Sequence, residues 1–480
     1  MTLHDPQNIA HAFRELADRA PDEEVILAED LRLTRAKLAL LIEAYARRMV
    51  REGVRQGDLV SINTSDPVIT IACIFALSLV GAQYIQFSID LLDTKEPNPR
   101  HFLRSIDVPP AENCDEIVLD NSWSPKFSKD DDQIVEFAGF PDRQATCWIS
   151  PSTGTTGRPK FSAVSVELLY KRIAAIADDY GPAQTRLAML FAPFSRPYVI
   201  RAVAALVFGH VIVDSRNVNF LRESNVNFIC ASPRQIRIWL GETKLEEKFP
   251  VVQVSGAKLP LDQVEALLCN FERVEDVYGS NETIKAHINV FKKQCDVLEV
   301  AGTPVPSPVE IVDEHGLPCP EGLSGTVRVS TNYLVDGYLG EPEATKKHFK
   351  DGCFLPGDRG LWKENNVLEI LGREGDIVNI EGEKVLLSDV DDAISDAVGV
   401  DVASCFEDPA PEEGEGQLAA CIVLQEGYNV AETVRSAWHI ISRKMGLGVA
   451  PGSILVVPRL ELTADGVAKR KFARDLFITT

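Results

Sequence analysis

Three features of the sequence predict an α/β protein with a large N-terminal domain and a small C-terminal α+β domain. Strand–helix–strand alternation recurs through the first part of the chain, alternating runs broken by Gly and Pro begin near residue 300, and a compact mixed segment follows Arg373. The chain has 480 residues, more than one hydrophobic core usually serves, so at least two domains are expected. Their boundary is placed at Glu374–Gly375, giving domains 1–374 and 375–480.

The first strong helical pattern is TRAKLALLIEAYARRMVREG, which starts at Thr34 and stops at Gly53. GDLVSINT follows as a short buried strand, and then VITIACIFALSLVGA (Val68–Ala82), an apolar run bounded by Pro67 and Gly81. That run is too short for a membrane span and reads as a buried helix. QYIQFSI is the next strand. The same alternation continues with RLAMLFAP, IRAVAALVFG and HVIVDS, then with VNFICAS, PRQIRIWLGE and VVQVSG. Such order favours mostly parallel sheets. VEIVDEHGLPCPEGLSGTVRV reads as hairpins, and after the boundary come IVNIEGEKVLL, SDVDDAISDAV, QLAACIVLQ, ETVRSAWHIISRKMG and SILVVP.

Composition narrows the function. Hydrophobic residues make up 45% and charged residues 25%, the balance of an ordinary globular protein. A net charge of -22 opposes a polyanionic partner such as nucleic acid or an anionic membrane surface. The ten cysteines show no C-x-x-C pair and no zinc-like spacing. The polar, acidic N-terminus lacks the pattern of a secretory leader, so a cytoplasmic location is expected.

The segment STGTTGRPK, Ser152–Lys160, carries the clearest chemistry. Gly154 and Gly157 permit a tight turn and close approach of a ligand. The hydroxyls of Ser152, Thr153, Thr155 and Thr156, with the backbone N–H groups, are donors for phosphate oxygens, and Lys160 supplies positive charge. The phosphate loop of kinases and GTPases needs Gly before its Lys and Ser or Thr after it, whereas Pro159 and Phe161 flank Lys160 here.

This loop, ending Gly-x-Pro-Lys, resembles the phosphate loop of the adenylate-forming superfamily, which includes acyl- and aryl-CoA ligases, adenylation domains and luciferase. Further segments resemble that family in order: the Gly53–Asp58 strand entry, VSGAKLP (Val254–Pro260), DVYGSNET (Asp276–Thr283), AGTPVPSPVEIVDEHGLPCPEGLSGTVRV, DGYLGEPEATKKHFKDGCFLPGDRG and LGREGDIVNIEGEKVLL. The resemblance spans about residues 30 to 475. It implies a β-barrel-like subdomain after the large sheets and a C-terminal domain that is mobile.

It also implies an acyl-CoA ligase that joins a carboxylic acid to ATP as an acyl-adenylate and transfers it to coenzyme A, with Mg²⁺ as cofactor. Thr155, Lys160, Glu282 and Lys469 are the implied catalytic residues, and Glu282 the metal ligand. Ser152, Thr153, Gly154, Thr156, Gly157, Gly256, Ala257, Lys258, Asp276, Tyr278, Gly279, Asn281, Asp358 and Arg373 are implied to bind the nucleotide. Tyr278 and Gly256–Ala257 would flank adenine, while Asp358 and Arg373 would take the ribose hydroxyls. Phe194, Trp239 and Gly302 would line the acid pocket, and Gly382 would admit the pantetheine arm of coenzyme A.

Departures from the family pattern qualify this. In LTADGVAKRKFARD, Gly466 and Arg470 match, but Val467 stands where the family has the lysine that binds carboxylate and α-phosphate. Lys469 and Lys471 are the substitutes within reach. Gly375 takes the hinge position, Asn281 replaces a threonine with an amide able to donate to phosphate, and FAPFSRPYVIRA lacks the family's histidine. That segment also lacks the aspartate of amino-acid-activating members, which favours a plain carboxylic acid. Arg196 and Arg201 are expected to be solvated surface arginines. Two alternatives stand beside the ligase: an enzyme of one half-reaction that uses a supplied acyl-adenylate or a carrier-protein thiol, and a non-catalytic binder of AMP or acyl-adenylate.

Overall fold

The computed structural model describes residues 8–86, 97–110, 114–120, 123, 137–152, 159–241, 244–295, 297–304, 309–380, 383–408, 418–445, 449–462 and 468–480. The chain groups into two compact units. The first comprises residues 1–152, 160–308 and 330–352, the second 153–159, 309–329 and 353–480.

The first unit holds two large sheets. In the nine-stranded sheet the strand order is Val297–Pro304, Ile284–Gln294, Phe271–Ser280, Phe249–Ser255, Phe228–Ala231, Arg186–Met189, Val211–Val213, Glu24–Ala28 and Leu31–Thr34. Its centre is parallel and both margins are antiparallel hairpins. The six-stranded sheet runs Asp115–Leu119, His101–Ser105, Leu59–Asn63, Gln83–Gln86, Thr146–Pro151 and Phe161–Ser165. Only its last pair is antiparallel.

The expected helices are present, and local chemistry explains their ends. Arg35–Arg51 starts at Thr34, whose hydroxyl accepts from Lys37 N. Pro67–Val80 begins with Asp66 accepting from Val68 N and Ile69 N, and it stops at Gly81 in the left-handed region. A side chain at Gly81 would strike the Gly139 carbonyl. This helix is buried along most of its length, which accounts for its membrane-like composition. No helix among the described residues is long and apolar enough to cross a membrane. Leu38, Ile42, Phe75, Leu77, Trp148, Ile173 and Tyr198 belong to one core cluster, and Leu190, Ile229, Val252, Val264 and Phe271 to a second.

In the second unit, Val309–Val312, Gly325–Ser330, Asp358–Lys363 and Val367–Arg373 form an antiparallel sheet where the barrel-like subdomain was expected. A hairpin, Ile377–Ile380 with Glu383–Leu386, follows. Next comes a three-stranded sheet of Val400–Glu407, Leu418–Leu424 and Ser453–Val456, with helices Leu387–Ser395, Val430–Met445 and Arg470–Thr479. The strand Val400–Glu407 is absent from the sequence reading. Its run VDVASCFE is sheltered by the helix Leu387–Ser395 and by pairing to Leu418–Leu424, so tertiary contacts supply what its mixed composition does not advertise. The mixed α/β class and the larger-then-smaller organisation are those expected.

Candidate active site

The ends of the glycine-rich loop are held together. The strand Thr146–Pro151 leads into Ser152, whose N–H donates to the Lys160 carbonyl at 2.6 Å. In return Lys160 N donates to Ser152 Oγ at 2.9 Å. Thr153, Gly154, Thr155, Thr156 and Gly157, expected to contact phosphate, lie outside the described residues. What the structure establishes is that the loop leaves and rejoins an antiparallel strand pair, so Lys160 emerges from a rigid base.

Glu282 is presented by the turn between strands Phe271–Ser280 and Ile284–Gln294. Ser280 Oγ accepts from Glu282 N at 3.2 Å and Thr283 N at 3.3 Å, and a bulge at Tyr278–Gly279 bends the strand. Gly279 is obligatory there, because a Cβ would collide with the Ile284 carbonyl. The Asn281 amide, expected to donate to phosphate, donates to the Pro151 carbonyl. That bond ties the Glu282 turn to the entrance of the glycine-rich loop, so Asn281 acts first as a fastener.

Glu282 is buried, with 6% of its surface exposed. Tyr338 donates its hydroxyl to Glu282 Oε1 at 2.8 Å, and the Lys160 ammonium lies 5.0 Å from the centroid of the Tyr338 ring. Leu339 N donates to the Phe161 carbonyl at 2.7 Å, which holds this segment beside Lys160. Lys160 and Glu282 are thus brought together through a residue given no role from sequence. Tyr338 was visible only as part of DGYLG. Arg172 was also missed: it occupies the buried face of helix Val166–Ala177 with Leu169, Ile173 and Ile176.

The donor set can be tested against Mg²⁺. Among the described residues, no group of three or more His, Cys, Asp or Glu is arranged to hold a metal ion. A single buried carboxylate suits Mg²⁺, which commonly relies on one or two carboxylates and takes its other ligands from phosphate and water. The residues present fit the ion in that mode.

Gly256 adopts a left-handed φ of 98° just beyond strand Phe249–Ser255, and Gly256, Ala257 and Lys258 are exposed. Tyr278 and Asp276 are half-buried on the neighbouring strand Phe271–Ser280, which pairs with Phe249–Ser255. Desolvation pushes the Asp276 carboxyl up to about 7. Arg201, expected at the surface, is 5% exposed. It lies over the Phe191 ring and donates to Gln253 Oε1 at 3.1 Å and Ser255 Oγ at 3.4 Å, while Gln253 donates to Asp179 and Glu275. Its helix is buried from Pro197 to Val207, so the arginine is drawn into a polar network beneath the strand that leads to Gly256.

The three residues expected around the acid lie on separate elements. Phe194 is exposed in the loop before helix Arg196–Val207. Trp239 packs on Phe249 at the margin of the second core, its ring N–H donating to the Arg216 carbonyl at 2.7 Å. Gly302 faces Asn289 across the sheet margin.

In the second unit Asp358 and Arg373 are directly opposite in the antiparallel sheet, with Arg373 Nε 3.4 Å from Asp358 Oδ1. Two residues expected to serve one ribose are therefore adjacent. Lys469 directly precedes helix Arg470–Thr479 and pairs with Glu461 at 3.0 Å. Its neighbour Arg470 is engaged by Asp376 at 3.2 Å, by Asp391 at 2.9 Å and by the Cys405 carbonyl. Val467 and Gly382 lie outside the described residues.

A parallel-centred α/β unit carrying a loop-borne lysine and a buried glutamate, with a smaller α+β unit, is the arrangement expected of an adenylate-forming enzyme. The model of the AMP-binding enzyme family matches residues 13–339, and the chain belongs to that family. Its fold is similar to that of O-succinylbenzoate coenzyme A synthetase (MenE) from Bacillus subtilis, with a TM-score of 0.79 at 18% identity, covering 96% of this chain and 97% of that one. It is also similar to MatB from Rhodopseudomonas palustris, with a TM-score of 0.76 at 19% identity over 98% and 99% of the two chains. Among curated proteins, enterobactin synthase component F of Escherichia coli O157:H7 is 23% identical over 95% of this chain. Bacitracin synthase 1 of Bacillus licheniformis is 21% identical over 96% of it. The chain spans 38% of the former and 9% of the latter.

Proposed function

We propose that this enzyme is an acid–thiol ligase of the acyl-CoA synthetase type. It joins a carboxylic acid to ATP as an acyl-adenylate and then passes the acyl group to coenzyme A. The observation that carries this reading is the Lys160–Tyr338–Glu282 cluster at the base of the glycine-rich loop. The similar MenE has been solved with AMP, with ATP and magnesium ion, and with an acyl-adenylate intermediate, and MatB with ATP.

In the first half-reaction a carboxylate oxygen attacks the α-phosphorus, the bond to the bridging oxygen breaks, and pyrophosphate leaves with the electron pair. Lys160 offsets the charge of the phosphates, and Glu282 anchors the metal. Mg²⁺, when bound, neutralises and orients the departing phosphates. Gly256, Ala257, Lys258, Asp276 and Tyr278 are assigned to the base, and Asp358 with Arg373 to the ribose. Lys469 takes the role of the lysine missing at Val467. In the second half-reaction a thiolate sulfur attacks the acyl carbon and AMP leaves.

A second reading is supported by Val467 and by the curated relatives, which are named as synthases and are far longer than this chain. In it, the enzyme loads a carrier-protein thiol, or completes only the thioester step. The test is to combine protein, Mg–ATP and coenzyme A with aliphatic, aromatic and polycyclic acids, following AMP and thioester by mass spectrometry. Acyl-CoA from any acid supports the ligase. Silence, with thioester formed from preformed acyl-adenylates, favours the second reading.

A further inference from the structure

Arg172 is fully buried, and among the described residues every hydrogen bond of its guanidinium goes to a main-chain carbonyl. Nη2 donates to Glu282 O and to Tyr333 O, both at 2.6 Å; Nε donates to Tyr333 O at 2.9 Å and Nη1 to Asn281 O at 3.3 Å. Burial pushes the guanidinium down to about 9, with Arg196 adding to the fall and Glu282 opposing it, so it stays charged at neutral pH. An arginine in an apolar helix face is costly to desolvate. A planar fork of five donors can, however, grip carbonyls on two segments at once, as a lysine ammonium cannot.

The two segments so gripped are those that aim Glu282. One is the turn that carries it. The other, residues 333–339, bonds Glu282 at both ends: Val335 N donates to the Glu282 carbonyl at 3.2 Å, and the Tyr338 hydroxyl reaches the carboxylate. This second segment is pinned in turn, since Tyr338 N donates to Thr345 Oγ1 at 2.9 Å and Leu339 N to Phe161 O. Arg172 is the one side chain whose described bonds join both segments from the helix that follows the phosphate loop.

We propose that Arg172 is a positioning residue for Glu282, fixing the aim of the carboxylate by holding residues 281–282 and 333 in register. The proposal rests on the reading of Glu282 as the anchor for Mg–nucleotide. It separates Arg172 from a merely structural core residue, whose loss would lower stability without altering metal dependence.

The test uses the full chain with Arg172→Met, Arg172→Lys and Glu282→Gln, and the double variant of Arg172→Met with Glu282→Gln. ATP binding is measured by calorimetry across a Mg²⁺ series and again in EDTA, below each variant's unfolding midpoint. Arg172→Met should raise the Mg²⁺ concentration for half-maximal ATP binding roughly tenfold while metal-free binding changes little, and Arg172→Lys should fall between. In the Glu282→Gln background Arg172→Met should add no further rise. If Arg172→Met does not fold, Arg172→Lys reads the same ratio. An unchanged Mg²⁺ midpoint in the arginine variants, with Glu282→Gln impaired, overturns this inference alone. Wild-type protein without Mg²⁺-dependent ATP binding, or Glu282→Gln binding as wild type does, overturns the reading of Glu282 and the inference together.

Discussion

Tyr338 and Glu282 are joined by a hydrogen bond of 2.8 Å although 56 residues separate them in the chain. The same tyrosine ring receives the Lys160 ammonium, so one side chain links the lysine of the glycine-rich loop to the buried carboxylate. Replacing Tyr338 by Phe should keep the ring under Lys160 and lose the bond to Glu282. A hydrogen bond to a charged group contributes about 1.5–3 kcal/mol, so chemical denaturation should show a loss of that order. Tyr338→Leu should lose more, because the cation then faces no ring.

Asp276 makes stability depend on pH in a direction opposite to that of an ion-paired carboxylate. Its carboxyl is pushed up to about 7 by desolvation, while an unfolded aspartate titrates near the ordinary value. Between those points the folded state holds a proton that the unfolded state has lost, so stability falls as pH rises and the loss is complete above 7. Asp276→Asn should abolish this component. Thermal midpoints at pH 5 and pH 8 should converge in the variant; an undiminished fall would remove Asp276 as its source.

Lys469 is paired with Glu461 at 3.0 Å. If it supplies the missing cation, Lys469→Ala should lower acid-dependent pyrophosphate exchange by roughly a hundredfold, the scale of losing one transition-state donor. Glu461→Gln, which frees the ammonium, should raise exchange modestly. Exchange unchanged in Lys469→Ala would transfer the role to another cation, and a gain in Val467→Lys would show that adenylation was limited at that position.

Arg470 holds the last helix to the start of the C-terminal fold through Asp376 and Asp391. Removing one partner of a buried ion pair costs about 3–5 kcal/mol, an upper bound here because Asp391 can take up a proton instead. Burial already pushes the Asp391 carboxyl up to about 6, against the pull of Arg470. The deficit of Arg470→Ala should therefore be larger at pH 8, where the carboxylate is charged, than at pH 5, where it is neutral. Equal deficits at both pH values would show that packing, not charge, holds the helix.

Much of the architecture was legible because its signals are local. Thr34 and Gly81 mark helix ends through a hydroxyl acceptor and a left-handed residue, and both act on neighbours within a few positions. The glycine-rich loop, Glu282 and the Asp358–Arg373 pair were likewise flagged by short motifs, and the last two prove to be sheet neighbours. Arg201 was misread because a single arginine looks the same whether water or Gln253 receives it. Trp239 offered an aromatic without revealing that its N–H would turn to Arg216.

By itself the sequence determined the α/β class and about half of the helices and strands, and it nominated residues for a nucleotide site. These depend on periodicity, capping and backbone freedom, which act over a few residues. The tertiary structure alone decided which distant residues touch. Arg172, Tyr338 and Glu282 lie far apart in the chain, and their meeting depends on how helix Val166–Ala177 packs against the turn at 281–283 and the segment 333–339. No local rule encodes that meeting, because the cost of burying the guanidinium is met only when carbonyls from both distant segments converge on it.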